Sequence, residues 1–234
     1  MKTKEGFSFI IISRDFEFIP QIIDSIRTQN IPSNQHEIIV VGGKYKKTTD
    51  YICVPFEDHK FPVHISAKKN IGTEFTRYDK CVYMHDYIIL NDGWYEGYQK
   101  FGYDWDLCMN VILNLDGERF QDWVSFDNPM CKFSNRPWFQ KEKWCPKGIE
   151  RPYTPALENY DSPNPYFLIP GYYWAAKQSW MTKHYIREDL CHCDGEDVEF
   201  SLRIRCKNPI YKMNKFSAVR TLKKKVLTMR DAIL

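Results

Sequence analysis

Two hydrophobic periods alternate along the chain. Phe7-Ser8-Phe9-Ile10-Ile11-Ile12 is an almost unbroken apolar run, β-branched at its end, which predicts a strand buried on both faces. The isoleucines at 19, 22, 23 and 26 then follow the spacing of one helical face, and Pro20 suits a first helical turn. That helix is expected to stop before Ile31-Pro32, because proline disfavours helical backbone in the residue before it. Glu37 to Val41 reads as a second apolar strand ending in Gly42-Gly43. Strand, helix and strand at this spacing make a βαβ unit, which implies a parallel sheet with a right-handed crossover.

Further along, a short strand is expected within Val54 to Ile65. Ser66 is placed to cap a helix whose buried stripe would be Ile71, Phe75 and Tyr78. Cys81-Val82-Tyr83-Met84 predicts a buried strand running into His85-Asp86-Tyr87, followed by a helix over Gly93 to Phe101 and a strand over Asp106 to Leu113. From Trp123 to Pro170 the pattern breaks, and eight of the 13 prolines fall between Pro129 and Pro170. They are interleaved with Trp138, Trp144, Tyr153, Tyr160, Tyr166 and Phe167. Proline at this density forbids long regular elements, while so many rings are unlike a flexible linker, so an ordered irregular subregion is expected. Near the end, Val219, Leu222, Val226, Met229 and Ile233 share a helical stripe beside Arg220, Lys223, Lys224, Lys225 and Arg230. This basic amphipathic helix, residues 216–234, is read as packing on its own domain, with peripheral contact to an anionic membrane as its other use.

Composition narrows the class without naming it. The 234 residues suffice for one sizeable core, and 27% charged with 43% hydrophobic residues is ordinary for a globular chain. A formal charge of +3 is too small to argue for nucleic acid as a partner. No apolar run reaches the length of a membrane span, and the short run after Gly6 lacks the form of a signal segment, so a cytoplasmic location is expected. The eight cysteines are scattered, which suits free thiols better than a disulfide framework. Cys191-His192-Cys193 has no second ligand pair, which argues against a structural zinc site.

Three constellations carry possible chemistry. His85-Asp86 follows an apolar strand, and ligands of open α/β sheets bind at the carboxyl ends of strands. A carboxylate there is suited to a divalent cation on a diphosphate, and equally to capping a turn. Ser66-Ala67-Lys68-Lys69-Asn70-Ile71-Gly72 opens a helix, where backbone N–H groups and lysines attract phosphate; a solvated basic turn is the alternative. Asp194-Gly195-Glu196-Asp197-Val198-Glu199 puts four carboxylates within six residues. Crowding can raise one pKa and make a general base, or the acids can serve a helix N-terminus. Val198, Phe200, Leu202 and Ile204 also alternate as in a strand, so periodicity leaves helix and strand open there.

Taken in order, these pieces resemble the inverting glycosyltransferases of the GT-A fold, specifically the large family two. The Phe7-to-Arg14 strand, the isoleucine helix and the Glu37–Gly43 strand look like its opening elements. Lys68-Lys69-Asn70-Ile71-Gly72 is similar to its nucleotide-contacting basic-Asn-x-Gly stretch. Met84-His85-Asp86-Tyr87 stands at its Asp-x-Asp motif, Gly171-Tyr172-Tyr173-Trp174 at its acceptor-side segment, and Gly195-Glu196-Asp197 at its catalytic Glu-Asp motif. The resemblance spans roughly residues 7 to 206.

It implies one α/β domain with a mainly parallel central sheet flanked by helices, residues 1–92 forming a nucleotide-sugar half and 93–215 an acceptor-side half. It implies a nucleoside-diphosphate-sugar donor (a UDP-sugar favoured) held by Ser13, Arg14, Lys68, Lys69, Asn70, His85, Asp86 and Trp174. Mn2+ or Mg2+ would sit at Asp86, and the acceptor would be a glycan, protein or lipid hydroxyl. Asp197 would be the base and Glu196 an orienting partner. Two positions depart from the pattern. Only one carboxylate, Asp86, stands at the Asp-x-Asp place, and Gly42-Gly43 replaces the acidic residue that contacts the base. A nucleotidyltransferase would also bind nucleotide and metal, but Ser13-Arg14-Asp15-Phe16 lacks the glycine-rich loop expected of one. A non-catalytic carbohydrate-binding protein on the same fold is the other rival.

Overall fold

In the computed structural model the opening apolar runs become strands and the isoleucine run between them becomes a helix. The structure describes residues 3–14, 16–44, 46–57, 64–126, 156–190 and 195–222. Along the chain come β1 (Lys4–Ile12), α1 (Ile19–Arg27), β2 (His36–Val41), β3 (Ile52–Val54), α2 (Ile65–Glu74), β4 (Tyr78–His85), β5 (Ile88–Leu90) and α3 (Trp94–Phe101). They are followed by β6 (Leu107–Leu113), β7 (Val124–Ser125), β8 (Ala156–Leu157), β9 (Phe167–Leu168), β10 (Tyr173–Lys177), α4 (Gln178–Met181), α5 (Glu196–Arg205) and β11 (Tyr211–Thr221).

Eight strands form one sheet in the order β3-β2-β1-β4-β10-β6-β11-β5, and β8-β7-β9 form a small antiparallel one. β3, β2, β1 and β4 are mutually parallel, with helix α1 as the crossover between β1 and β2. β10 runs antiparallel to both β4 and β6, β11 is parallel to β6, and β5 closes the far edge antiparallel to β11. The sheet is therefore mixed but mainly parallel, with helices against it.

Helix α1 buries Ile19, Ile22, Ile23 and Ile26, the four residues the periodicity selected. Helix α2 lies against β1 and β2 so closely that a Cβ on Gly72 would fall 2.4 Å from Ile10 Cγ2. On the other side of the sheet Phe7, Phe9, Trp94 and Tyr98 pack ring against ring. Their polar ends are satisfied inside the core: Trp94 Nε1 donates to Tyr173 Oη at 2.9 Å, and the Tyr98 and Tyr173 hydroxyls both donate to Asn110 Oδ1.

Several expectations need correction. Ser66 does not cap α2: the helix begins at Ile65 after His64, and the Ser66 hydroxyl donates to Leu190 O at 3.4 Å. The stripe through Ile71, Phe75 and Tyr78 fails because the helix ends at Glu74; Phe75 is exposed and Tyr78 starts β4. The short strand after β2 is Ile52–Val54, upstream of the range expected. No helix starts at Val219, since Val219 to Thr221 lie within β11 between β6 and β5, where ladder pairing and the burial of Val219 and Thr221 outweigh the helical spacing. The remainder of that proposed helix, 223–234, lies outside the described residues, as do Pro129 to Pro155 of the proline-rich segment and Cys191-His192-Cys193-Asp194. Cys53, Cys81, Cys108 and Cys206 are free thiols, and among the described residues no helix is long and apolar enough to cross a membrane.

Candidate active site

Asp86 follows β4 directly, and β1 fixes it from the side. Its backbone N–H donates to Ile12 O at 3.1 Å, so the ends of the two parallel strands are tied together. The Ser13 hydroxyl donates to Asp86 Oδ2 at 3.0 Å and the Arg14 N–H reaches the same oxygen at 3.3 Å. Ser13 Oγ in turn accepts from Phe16 N–H at 3.1 Å. Lys68, only 1% exposed, donates from Nζ to Ser13 O at 3.0 Å. Gly42 makes this crowding possible: at φ +141° a Cβ there would lie 1.8 Å from Ser13 O. The glycine that replaces the expected acidic residue is thus required by the close approach of the β1 and β2 ends.

The second carboxylate group reaches the same edge of the sheet by another route. Because β10 is antiparallel to β4, its first residue, Tyr173, pairs with Met84 near the carboxyl end of β4. His85 N–H donates to Tyr172 O at 2.9 Å, which locks the residues before β10 beside Asp86. One residue earlier, Gly171 N–H donates to Asp197 Oδ2 at 3.2 Å. Asp197 sits in the first turn of α5, where its Oδ1 also accepts from Val198 N–H at 2.8 Å. Gly195, left-handed at φ 72°, opens that helix, which settles the segment as helical despite its alternating apolar residues. The alternation misleads because both flanks are buried: Phe200 and Ile204 enter the main core, while Val198 and Leu202 pack on the smaller cluster with Val124, Phe126 and Leu168.

Burial raises the pKa of the Asp197 carboxyl, while the Lys69 ammonium and the N–H groups of Val198 and Gly171 hold it back. Lys69 is 2% exposed and donates from Nζ to Gly171 O at 2.6 Å. Its own pKa is lowered by burial, against the pull of Glu196 and Asp197. Lys69, Gly171, Trp174, Glu196 and Asp197 surround a cavity of about 10 Å³, room for about one water.

The other predicted residues fall into place less uniformly. Arg14 is exposed, and only its backbone N–H is placed against Asp86. Asn70 spends its amide on the chain: Nδ2 donates to Ile186 O and Glu188 Oε1, and Oδ1 accepts from Ile186 N–H. Trp174 is 2% exposed, stacked on Tyr83 with centroids 4.2 Å apart and tilted against Phe200, so it is a core ring with an edge on the small cavity. Glu199 is ion-paired to Arg203 at 2.8 Å. The sequence placed Gly171-Tyr172-Tyr173-Trp174 at an acceptor-side segment but not the part its first two peptides play, tying the β4 end to Asp197.

Among the described residues no three His, Cys, Asp or Glu side chains converge on one point. A single carboxylate such as Asp86 would hold a Mg2+-type ion only with diphosphate oxygens and water completing the coordination, since such ions are commonly held by one or two carboxylates plus substrate phosphates.

No protein-family model and no curated protein matches the sequence. Solved structures do resemble the fold. GalNAc-T7 with UDP, GalNAc and Mn2+ superposes with a TM-score of 0.61 at 13% identity, covering 94% of this chain and 44% of that one. The 1–349 fragment of S. aureus TarS in complex with UDP-GlcNAc gives 0.60 at 13% identity, covering 98% of this chain and 62% of the other. A longer S. aureus TarS structure gives 0.57 at 12% identity, with 93% of this chain on 37% of that one. The chain thus spans less than two thirds of each of these proteins, and at such identity the likeness is one of fold. The domain has a GT-A-like α/β fold, with its two carboxylate groups gathered at the carboxyl edge of the sheet.

Proposed function

We propose that this chain is a glycosyltransferase that moves a sugar from a nucleoside-diphosphate-sugar, a UDP-sugar by preference, to an acceptor hydroxyl with inversion. The observation that carries this reading is the chain of contacts Ser13–Asp86, His85–Tyr172 and Gly171–Asp197. It holds one carboxylate against the β1 end and a second, in the first turn of α5, on the other side of one strand end. A donor diphosphate beside Asp86 and Ser13 would leave its sugar directed toward Asp197. Asp197 would take the proton from the acceptor hydroxyl while that oxygen bonds to the anomeric carbon and the bond to the diphosphate breaks. Glu196, buried beside Lys69 and Gly171, would fix the charge around that base. Mn2+ or Mg2+ at Asp86 would supply charge neutralisation to the leaving diphosphate. Structural neighbours carrying UDP, UDP-GlcNAc or Mn2+ lend support to this choice of donor and metal.

The test is UDP release from UDP-GlcNAc and UDP-GalNAc by the purified protein with Mn2+, alongside calorimetric titration of UDP, GDP, CDP and ADP. Transfer or slow hydrolysis, lowered by roughly 10²-fold or more in Asp197→Asn, is expected. Nucleotide binding without any turnover would favour the non-catalytic reading, and absence of all nucleotide binding would defeat the proposal.

A further inference from the structure

The two adjacent lysines of α2 serve different parts of the edge. Lys68 Nζ meets Ser13 O on the Asp86 side, and Lys69 Nζ meets Gly171 O on the Asp197 side. Gly171 is held at both polar atoms, its carbonyl by Lys69 and its N–H by Asp197. A Cβ on it would stand 3.4 Å from Glu196 Oε1 and 3.5 Å from Asp197 Oδ2, so its backbone packs directly on the acidic pair. With Lys69 only 2% exposed and Glu196 only 7%, these charges have little water to stabilise them. We propose that Lys69 is the internal counter-ion of Glu196 and Asp197 and a positioning residue for Asp197 through Gly171, and not a ligand of the donor diphosphate.

Charge accounting supports this. A buried ammonium is retained where opposite charge is near, and Lys69 lines the same small cavity as the Glu196 and Asp197 carboxylates. Among the described residues the titratable groups around Asp197 include Lys69 from α2, Glu196 from its own helix and Tyr172 from the residues before β10. Of these Lys69 is the cation, and with the Val198 and Gly171 N–H groups it opposes the upward push of burial on Asp197. The ammonium also fixes the Gly171 peptide, whose N–H sets the direction of Asp197 Oδ2. The proposal rests on reading Asp197 as the base, but its test needs no turnover.

The Asp197 carboxyl is followed by carbon-detected NMR against pH in the unaltered protein, Lys69→Met and Lys69→Arg, with UDP affinity measured by calorimetry on each. In Lys69→Met its midpoint should rise by about one pH unit or more, the usual effect of losing a nearby opposite charge. Lys69→Arg should restore most of the shift, and UDP affinity should stay within about twofold throughout. An unmoved Asp197 midpoint, or a roughly tenfold loss of UDP affinity with Lys69→Met, overturns the proposal. Should Lys69→Met fail to fold, the reciprocal measurement decides. The Lys69 midpoint, read at its side-chain carbon, must fall in Asp197→Asn, and no change there would overturn the proposal equally. Absence of transfer in the unaltered protein would count against the functional reading and leave these titrations to judge Lys69 alone.

Discussion

Asp197→Asn is the most informative single change, because the structure separates its chemical effect from its structural one. Each carboxylate oxygen accepts a backbone N–H, from Val198 at 2.8 Å and from Gly171 at 3.2 Å. An asparagine has only one acceptor oxygen, so its NH2 must face one of those donors. The longer Gly171 contact is expected to yield, leaving that N–H to water or to no partner. For a half-buried donor this costs about 1 kcal/mol, or roughly 2–4 °C in Tm for a domain of this size. Losing the general base should lower turnover by roughly 10²-fold or more, equivalent to about 2.7 kcal/mol or more in the barrier. A stability loss of ~1 kcal/mol leaves an ordinary domain folded, so the drop in turnover belongs to the chemistry. Initial-rate transfer or donor hydrolysis, UDP calorimetry and a thermal melt on one preparation suffice. Near-normal turnover would refute the assignment. So would a parallel loss of UDP affinity and rate, which would make Asp197 a donor ligand instead.

Further expectations can be checked alongside. The acid limb of kcat/KM should lie above the ordinary aspartate value of 3.8, since burial raises the Asp197 pKa and the base works only when ionised; a limb at or below that value would contradict the burial argument. Asp86→Ala should weaken UDP binding and abolish its dependence on added Mn2+, which calorimetry with and without chelator reads directly. Gly42→Ala should cost about 2 kcal/mol or more from strain and the Ser13 clash, seen as a lower urea midpoint. Asp122→Ala should cost about 3 kcal/mol, or roughly 6–12 °C in Tm, because the buried carboxylate accepts from Ile112 N, Arg119 Nε, Trp123 N and Tyr160 Oη.

The first half of the sheet was legible because its elements obey one period each. The Phe7–Ile12 run and Glu37–Val41 are buried strands, and the four isoleucines of α1 all face the core. Legibility ended where burial surrounds an element. Helix α2 buries Ser66, Lys68, Lys69, Asn70 and Thr73 with its apolar residues, so no clean stripe marks it, and its lysines read as a possible surface turn. Their burial depends on acceptors at Ser13 and Gly171, one of them 102 residues away in sequence. Of the candidate site, Asp86 and Asp197 come to one edge only through the antiparallel insertion of β10, and local periodicity carries no information about strand order. For Asn70 and Trp174 the motif position was readable and the environment was not, since hydrogen bonds to Ile186 and stacking on Tyr83 arise from the tertiary fold.

The two outermost strands of the eight-stranded sheet, β3 and β5, are three residues long each. At the β5 border even the outward-facing Leu90 N–H is already taken, donating to Ser25 Oγ of α1 at 3.2 Å. An incoming extended segment would find no more than a few backbone partners on either side, too few to repay its loss of freedom. This sheet is therefore closed to growth by strand addition, which protects it from edge-to-edge aggregation.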